Sequence, residues 1–227
     1  MTSELRLLSW NVRSLRDGRE AVAAVIRDAG VDVALLQEAP RFLRWRSKRA
    51  ALAREAGLVV GTADRVGGLV VLTSMRTWVL DHDHQPLPPS GGRHRRAVVT
   101  ATVSVAQGPR WRLAVTHLGL VPGERVQHAR QVNAVLRTAS EPLVLAADVN
   151  DEPGSPAWEA LGDGLVDCFH LAETARPTFP ATRPSRRIDA VFASPALAVA
   201  DARVLDVPPS APPSDHLPLL VTLRAAG

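Results

Sequence analysis

The sequence has no tyrosine, one cysteine and one lysine, and aromatic residues fill 4% of its 227 positions. With Cys168 alone, no intramolecular disulfide and no thiolate cage for a metal can form. A single cysteine of this kind is expected as a small core residue rather than a nucleophile. No apolar run approaches the roughly 20 residues that a helix needs to cross a bilayer. Residues 5–10 already read as a strand, so the expectation is no room for a signal peptide and a cytoplasmic protein. A large excess of one charge is missing too. The 27 basic and 23 acidic residues leave a formal charge of +4, so any attraction for anions must come from clustering.

What is present is an ordinary globular composition, 46% hydrophobic and 22% charged, in a length that suits one domain over residues 1–227. Short apolar or alternating runs predict strands at 5–10, 31–36, 58–61, 68–73, 78–80, 97–105, 111–116, 142–146, 186–192, 199–207 and 217–223. Helices are expected from Asp17-Gly18 to Gly30 and over 41–57, 122–139, 155–161 and 165–171. The strands between 58 and 116 follow one another at hairpin intervals, which predicts antiparallel neighbours there.

Polar side chains fall where these strands end. The run 142–146 delivers Asp148 and Asn150 ahead of a dense set of turn formers, Asp151 to Pro156. Two apart, they point the same way while the backbone stays extended. A carboxylate beside an amide suits a hard cation or an activated water; the same pair also opens ordinary turns by bonding its own backbone. Asn11 and Glu38 close the first two strands, and Glu38 alone reads equally as a solvated residue at a helix start. His117 closes another strand. Asp189 is embedded among apolar neighbours, where a carboxylate is costly unless paired, so it should have a partner. A proline-rich loop presents Ser214-Asp215-His216 before the last strand.

Two basic stretches stand out. Arg41, Arg44, Arg46, Lys48 and Arg49 are interleaved with Phe42 and Trp45, a pattern that fits a nucleic-acid backbone and its bases. The commoner reading of such a pattern is a solvated amphipathic helix packing Phe42 and Trp45 inward. Residues 85–92 are too rich in Pro and Gly for regular structure, and Arg93, His94, Arg95 and Arg96 follow. These could grip phosphates or guard a strand edge. His82 and His84, alternating with carboxylates in Asp81-His82-Asp83-His84, look like a metal site, but exposed His-Asp pairs are commonplace and this one is discounted.

Taken in order, Ser9-Trp10-Asn11-Val12, Leu35-Leu36-Gln37-Glu38, Gly67-Gly68-Leu69-Val70-Val71-Leu72, Thr116-His117-Leu118, Asp148-Val149-Asn150 with Pro153 and Ser155, Arg187-Ile188-Asp189-Ala190-Val191 and Ser214-Asp215-His216-Leu217-Pro218-Leu219 resemble the endonuclease/exonuclease/phosphatase family, over residues 5–223. The resemblance implies a four-layered α/β sandwich: two mixed β-sheets packed face to face, helices outside, active site at one end. It implies a Mg²⁺ or Mn²⁺ ion supporting hydrolysis of a phosphate ester. On that pattern Glu38 is the principal metal ligand, with Asn11 and Asp215 beside it. Asp148 orients or deprotonates the attacking water, and Asn150 holds the phosphate or that water. Asp189 bonds His216, fixing its tautomer and favouring its protonated form. Whether Asp148 or His216 takes the water's proton stays open, and Arg93 and Arg96 are expected to bind substrate.

Three departures qualify the pattern. Ala147 stands where the family has Gly, a tolerable change. The absence of tyrosine lowers the abasic-site endonuclease reading. No Glu occurs between Gly57 and Gly123, so the glutamate that supports this histidine in the deoxyribonuclease I branch is missing, and His117 is expected to donate a hydrogen bond to the phosphate. The expected substrate is nucleic acid, on the strength of the arginine clusters. The alternative is a lipid headgroup, nucleotide or sugar phosphate cleaved by the same set. A monomer is expected, and the full complement of site residues argues against a non-catalytic copy of the fold.

Overall fold

The computed structural model describes residues 3–62, 64–88, 95–170, 176–208 and 210–225. In chain order the elements are β1 (Ser3–Asn11), α1 (Arg19–Ala29), β2 (Val33–Gln37), α2 (Trp45–Glu55), β3 (Val59–Val60), β4 (Val70–Thr73), β5 (Thr77–Pro86) and β6 (Ala97–Val105). They continue with β7 (Arg110–His117), α3 (Pro122–Leu136), β8 (Leu143–Asp148), α4 (Pro156–Gly162), β9 (Val166–Asp167), β10 (Asp189–Ala193), β11 (Leu197–Val204) and β12 (Leu219–Ala225).

These strands form two six-stranded sheets, ordered β11-β12-β1-β2-β4-β3 and β5-β6-β7-β8-β10-β9. Each sheet has one parallel pair, β1 with β2 and β7 with β8. Parallel neighbours need a crossover, and α1 and α3 supply it. The other pairings are antiparallel, including those expected between residues 58 and 116.

Strand alternation builds the layers. Leu5 and Leu7 of β1 and Val33 and Leu35 of β2 face Val99, Val103, Trp111, Leu113 and Val191 of the second sheet. Their neighbours Leu8 and Trp10 face outward, under Val22 and Ile26 of α1 and Leu52 of α2. Across the sandwich, Leu145, Ala147 and Phe192 are covered by Ala129 and Val132 of α3 and by Trp158 and Leu161 of α4. The result is the four-layered α/β sandwich that the resemblance implies. Local signals agree with it: Gly30, at φ 61°, ends α1 in the left-handed conformation, and the Ser155 hydroxyl caps α4 by accepting from Trp158 N at 3.3 Å.

Several expectations need correction. The helix expected over 41–57 starts only at Trp45, because Arg44 sits in the left-handed region at φ 58°. Phe42 and Leu43 are 72% and 83% exposed, so Phe42 does not pack inward. Gln85 and Pro86 belong to β5, an edge strand where a missing N–H is tolerated. Residues 165–170 are not helical, and Leu171 lies outside the described residues: β9 pairs with β10, and the Asp167 carboxylate turns the chain by accepting from Phe169 N at 3.0 Å. The strand expected at 68–73 starts at Val70, since Gly67 and Gly68 take left-handed conformations in a short 3-10 turn. Arg93 and His94 lie outside the described residues.

Candidate active site

At one end of the sandwich, the central strands of both sheets stop at polar residues. In the first sheet Asn11 pairs with Gln37 in register, and Val12 N donates to Gln37 O at 3.0 Å. Glu38 follows at φ 48°, pinned by Ser14 N to its carbonyl at 2.8 Å. Ala39 N donates to Gly68 O at 2.7 Å, and a Cβ on Gly68 would come within 3.2 Å of Ala39 O. In the second sheet His117, Asp148 and Asp189 occupy one rung across β7, β8 and β10. Asp215 and His216 arrive on the segment before β12. That segment is tied to β1 by Ser214 Oγ donating to Asn11 O at 2.6 Å and by Trp10 Nε1 donating to His216 O at 2.8 Å.

The side chains converge on Asp148, which is buried. Its Oδ2 accepts from Asn11 Nδ2 at 2.8 Å and lies 3.3 Å from His117 Nε2 and 3.9 Å from His216 Nε2. Its Oδ1 accepts from Asn150 N at 3.1 Å. The expectation of extended backbone through Asn150 does not hold, since its φ is 56°. The turn instead folds its amide back over His117. Asn150 Nδ2 donates to Leu118 O at 3.0 Å, which orients the amide, and approaches His117 Nε2 at 2.9 Å. A proton on Nε2 would face Asp148 Oδ2 at 3.3 Å, whereas accepting from Asn150 at Nε2 leaves the ring proton on Nδ1. That nitrogen is buried without a partner, 4.0 Å from Glu38 Oε1.

The two histidines differ in charge because their partners differ. Burial dominates at His117 and, with Asp148 opposing and Arg96 assisting, lowers its pKa to about 3. At His216 burial is again the largest single effect and opposes the charge. Asp189, then Asp148, the Asp189 hydrogen bond and Asp215 together outweigh it and raise the pKa to about 10. The buried Asp189 has the partner its burial demands: His216 Nδ1 donates to its two oxygens at 3.1 and 3.0 Å. Asp189 also accepts from Thr178 Oγ1 at 2.6 Å, and Phe179 packs on the His216 ring at 5.0 Å. Asp215 pairs with Arg13 Nε at 3.3 Å. Arg96 is buried; burial lowers its pKa against the pull of Asp148 and then Glu38.

The model of the endonuclease/exonuclease/phosphatase family matches residues 8–216. The chain belongs to that family. Members of the endonuclease/exonuclease/phosphatase family hydrolyse phosphate esters. No curated protein matches the sequence. Among solved structures, a family protein from Beutenbergia cavernae is 30% identical, with 99% of this chain and 72% of that chain covered and a TM-score of 0.74. The mannosyl-6-phosphatase Bt3783 of Bacteroides thetaiotaomicron superposes with a TM-score of 0.82 at 18% identity, covering 96% of this chain and 99% of that one. TDP2 of D. rerio, complexed with a single-strand DNA product, gives 0.78 at 20% identity, covering 97% and 99%.

The donors at this end suit the divalent ion that the family implies. Glu38, Asn11, Asp148 and Asp215 offer oxygen atoms, the ligands of a hard cation. Asp148, Asp189 and His216 also bring ligand atoms within 4.8 Å of one another and could hold an ion. There, however, the imidazole already gives Nδ1 to Asp189, which makes a hydrogen-bonded chain the simpler reading. Three supporting residues are given no role by the sequence: Thr178, Arg13 and Ser214. Ser214 adjoins Asp215, which is a weak signal. Thr178 lies 11 positions before Asp189 in a stretch without periodicity, and nothing local marks it.

Proposed function

We propose that the chain is a divalent-metal-dependent hydrolase of phosphate esters that uses in-line attack by an activated water. The observation that carries this is Asp148: a carboxylate 1% exposed on β8, held by Asn11 from the opposite sheet and flanked by both histidines. A carboxylate so placed orients a water and can accept its proton. His216, kept charged by Asp189, serves as a cationic clamp on a phosphoryl oxygen, which favours Asp148 as the base. His117 stays neutral and offers Nδ1–H to a second phosphoryl oxygen, with Asn150 setting its tautomer. Glu38, Asn11 and Asp215 would hold Mg²⁺ or Mn²⁺, which when bound supplies positive charge where negative charge develops on the phosphoryl group. Arg96 adds further positive charge nearby.

A small phosphate ester is the better-supported substrate. The site adjoins a cleft of about 400 Å³, and a mannosyl-6-phosphatase is among the structural relatives. Nucleic acid is the second reading, supported by exposed Phe42, Arg44 and Lys48 and by the likeness to TDP2. Its basic stretch is thinner than the sequence suggests, because Arg49 is buried against backbone carbonyls. The test is turnover of p-nitrophenyl phosphate and bis-p-nitrophenyl phosphate with Mg²⁺, with Mn²⁺ and with EDTA. Glu38→Gln is expected to lose about 100-fold or more with unchanged melting, and His216→Ala to lose as much while folding cooperatively at a lower melting temperature, because Asp189 loses its partner. Near wild-type turnover in either variant, or in EDTA, removes the corresponding role.

A further inference from the structure

On the Asp215 side of the site, the 400 Å³ cleft is lined by Arg13, Asp17 and Thr182 beside Asp215, with Pro180 and Pro212 among its apolar walls. Arg13 reaches it from an unusual backbone. Arg13, Ser14 and Leu15 have φ of 44°, 56° and 60°, three successive L-residues in a conformation that L-residues avoid. The turn is held by Leu15 N to Val12 O at 2.7 Å and Arg13 N to Asn11 Oδ1 at 3.0 Å. The outcome is a guanidinium set between two carboxylates, 3.2 Å from Asp17 Oδ2 and 3.3 Å from Asp215 Oδ2. Strained backbone that positions a side chain at a site is a pointer to function.

The chemistry of the lining narrows the occupant. Arginine only donates hydrogen bonds and carboxylates only accept them. A free anion would meet two carboxylates, and a free cation would meet Arg13. A nucleobase would want an aromatic platform, and no lining residue is aromatic. A hydroxyl both donates and accepts, so adjacent hydroxyls satisfy Arg13 and Asp17 together, while proline walls take the C–H face of a ring. The volume suits a small molecule. Asp215 joins the cleft to His216, so a phosphate clamped by His216 can direct its ester substituent into it.

We infer that this cleft takes the hydroxyl-rich alcohol of a phosphate ester, a sugar or cyclitol phosphate, with Arg13 and Asp17 reading neighbouring hydroxyls. The inference rests on the phosphoesterase reading above and names its substrate class. It is tested with the full chain and Mn²⁺ on glucose 6-phosphate, myo-inositol 1-phosphate, phenyl phosphate and a thymidine oligonucleotide. The expected result is a kcat/KM for one of the two hydroxylated esters at least about tenfold above that for phenyl phosphate. Which of the two is preferred tells a sugar from a cyclitol. In Asp17→Asn that ratio falls towards one, mainly through KM, with unchanged melting; Thr182→Trp, which fills the cleft, lowers it as well. Equal turnover of phenyl phosphate, preference for the oligonucleotide, or an unaltered ratio in both variants overturns the inference while the hydrolase reading stands. No turnover of any ester overturns both.

Discussion

Glu38 and Asn150 share a backbone property that their proposed roles require. Both follow a buried strand and both adopt positive φ, 48° and 56°, so each chain turns sharply and returns its side chain to the strand ends. Asparagine tolerates this conformation, whereas glutamate is held in it by neighbours. Gly68→Ala should therefore act on Glu38 at a distance: a left-handed alanine crowding Ala39 O is expected to cost about 1–3 kcal/mol in urea unfolding and to lower turnover. Asp189→Asn removes the carboxylate that His216 Nδ1 bonds, and kcat should fall about 10- to 100-fold with the fold intact by circular dichroism. Cys168 is buried, and burial first, then Asp167, pushes its thiol up to about 12. It should resist a thiol reagent such as dithionitrobenzoate until the protein unfolds, consistent with the core role its solitude suggested. At this scale the need for a partner to Asp189 was legible, because a lone buried carboxylate is costly. Thr178 was not, since a hydroxyl in an aperiodic stretch carries no signal of what it will bond.

Among the elements, α2 shows how a charge pattern misleads. Arg49 reads as one more member of a basic surface, yet it is 1% exposed and spans to Pro40 O at 2.9 Å, Asp64 O at 2.6 Å and Leu69 O at 3.0 Å. It ties the segment after Glu38 to the one before β4, and burial lowers its pKa to about 10 against the pull of Asp64. Arg49→Met, which keeps the length and loses the donors, should destabilise by about 3 kcal/mol in chemical denaturation. Residues 97–105 were legible to the residue as β6, because an apolar run of β-branched side chains has one reading. Leu165, Cys168 and Phe169 imitate a helix by their spacing, but Cys168 and Phe169 are recruited into the core between the sheets. Local pattern cannot separate a helical face from two side chains claimed by a distant layer.

For the whole molecule, Trp111 is the largest side chain buried between the two sheets, set at the start of β7 while the site lies at its end. Trp111→Ala should cost about 3–5 kcal/mol of stability in thermal or urea unfolding. The layered architecture was legible through alternating strands and the ordered motifs. Strand order was less so: β11 pairs outside β12, a partner reached only across the proline-rich loop. The proposed catalytic set is split between halves, with Asn11, Glu38 and His216 at the strand ends of one sheet and His117, Asp148 and Asp189 on the other. Turnover is thus a vernier on how the halves are aligned. Because Asn11 and Asp148 meet at 2.8 Å across that divide, a slip of about an ångström dismantles the chemistry while every ladder within a sheet survives. In a urea titration, catalytic output should fade before the far-ultraviolet signal does.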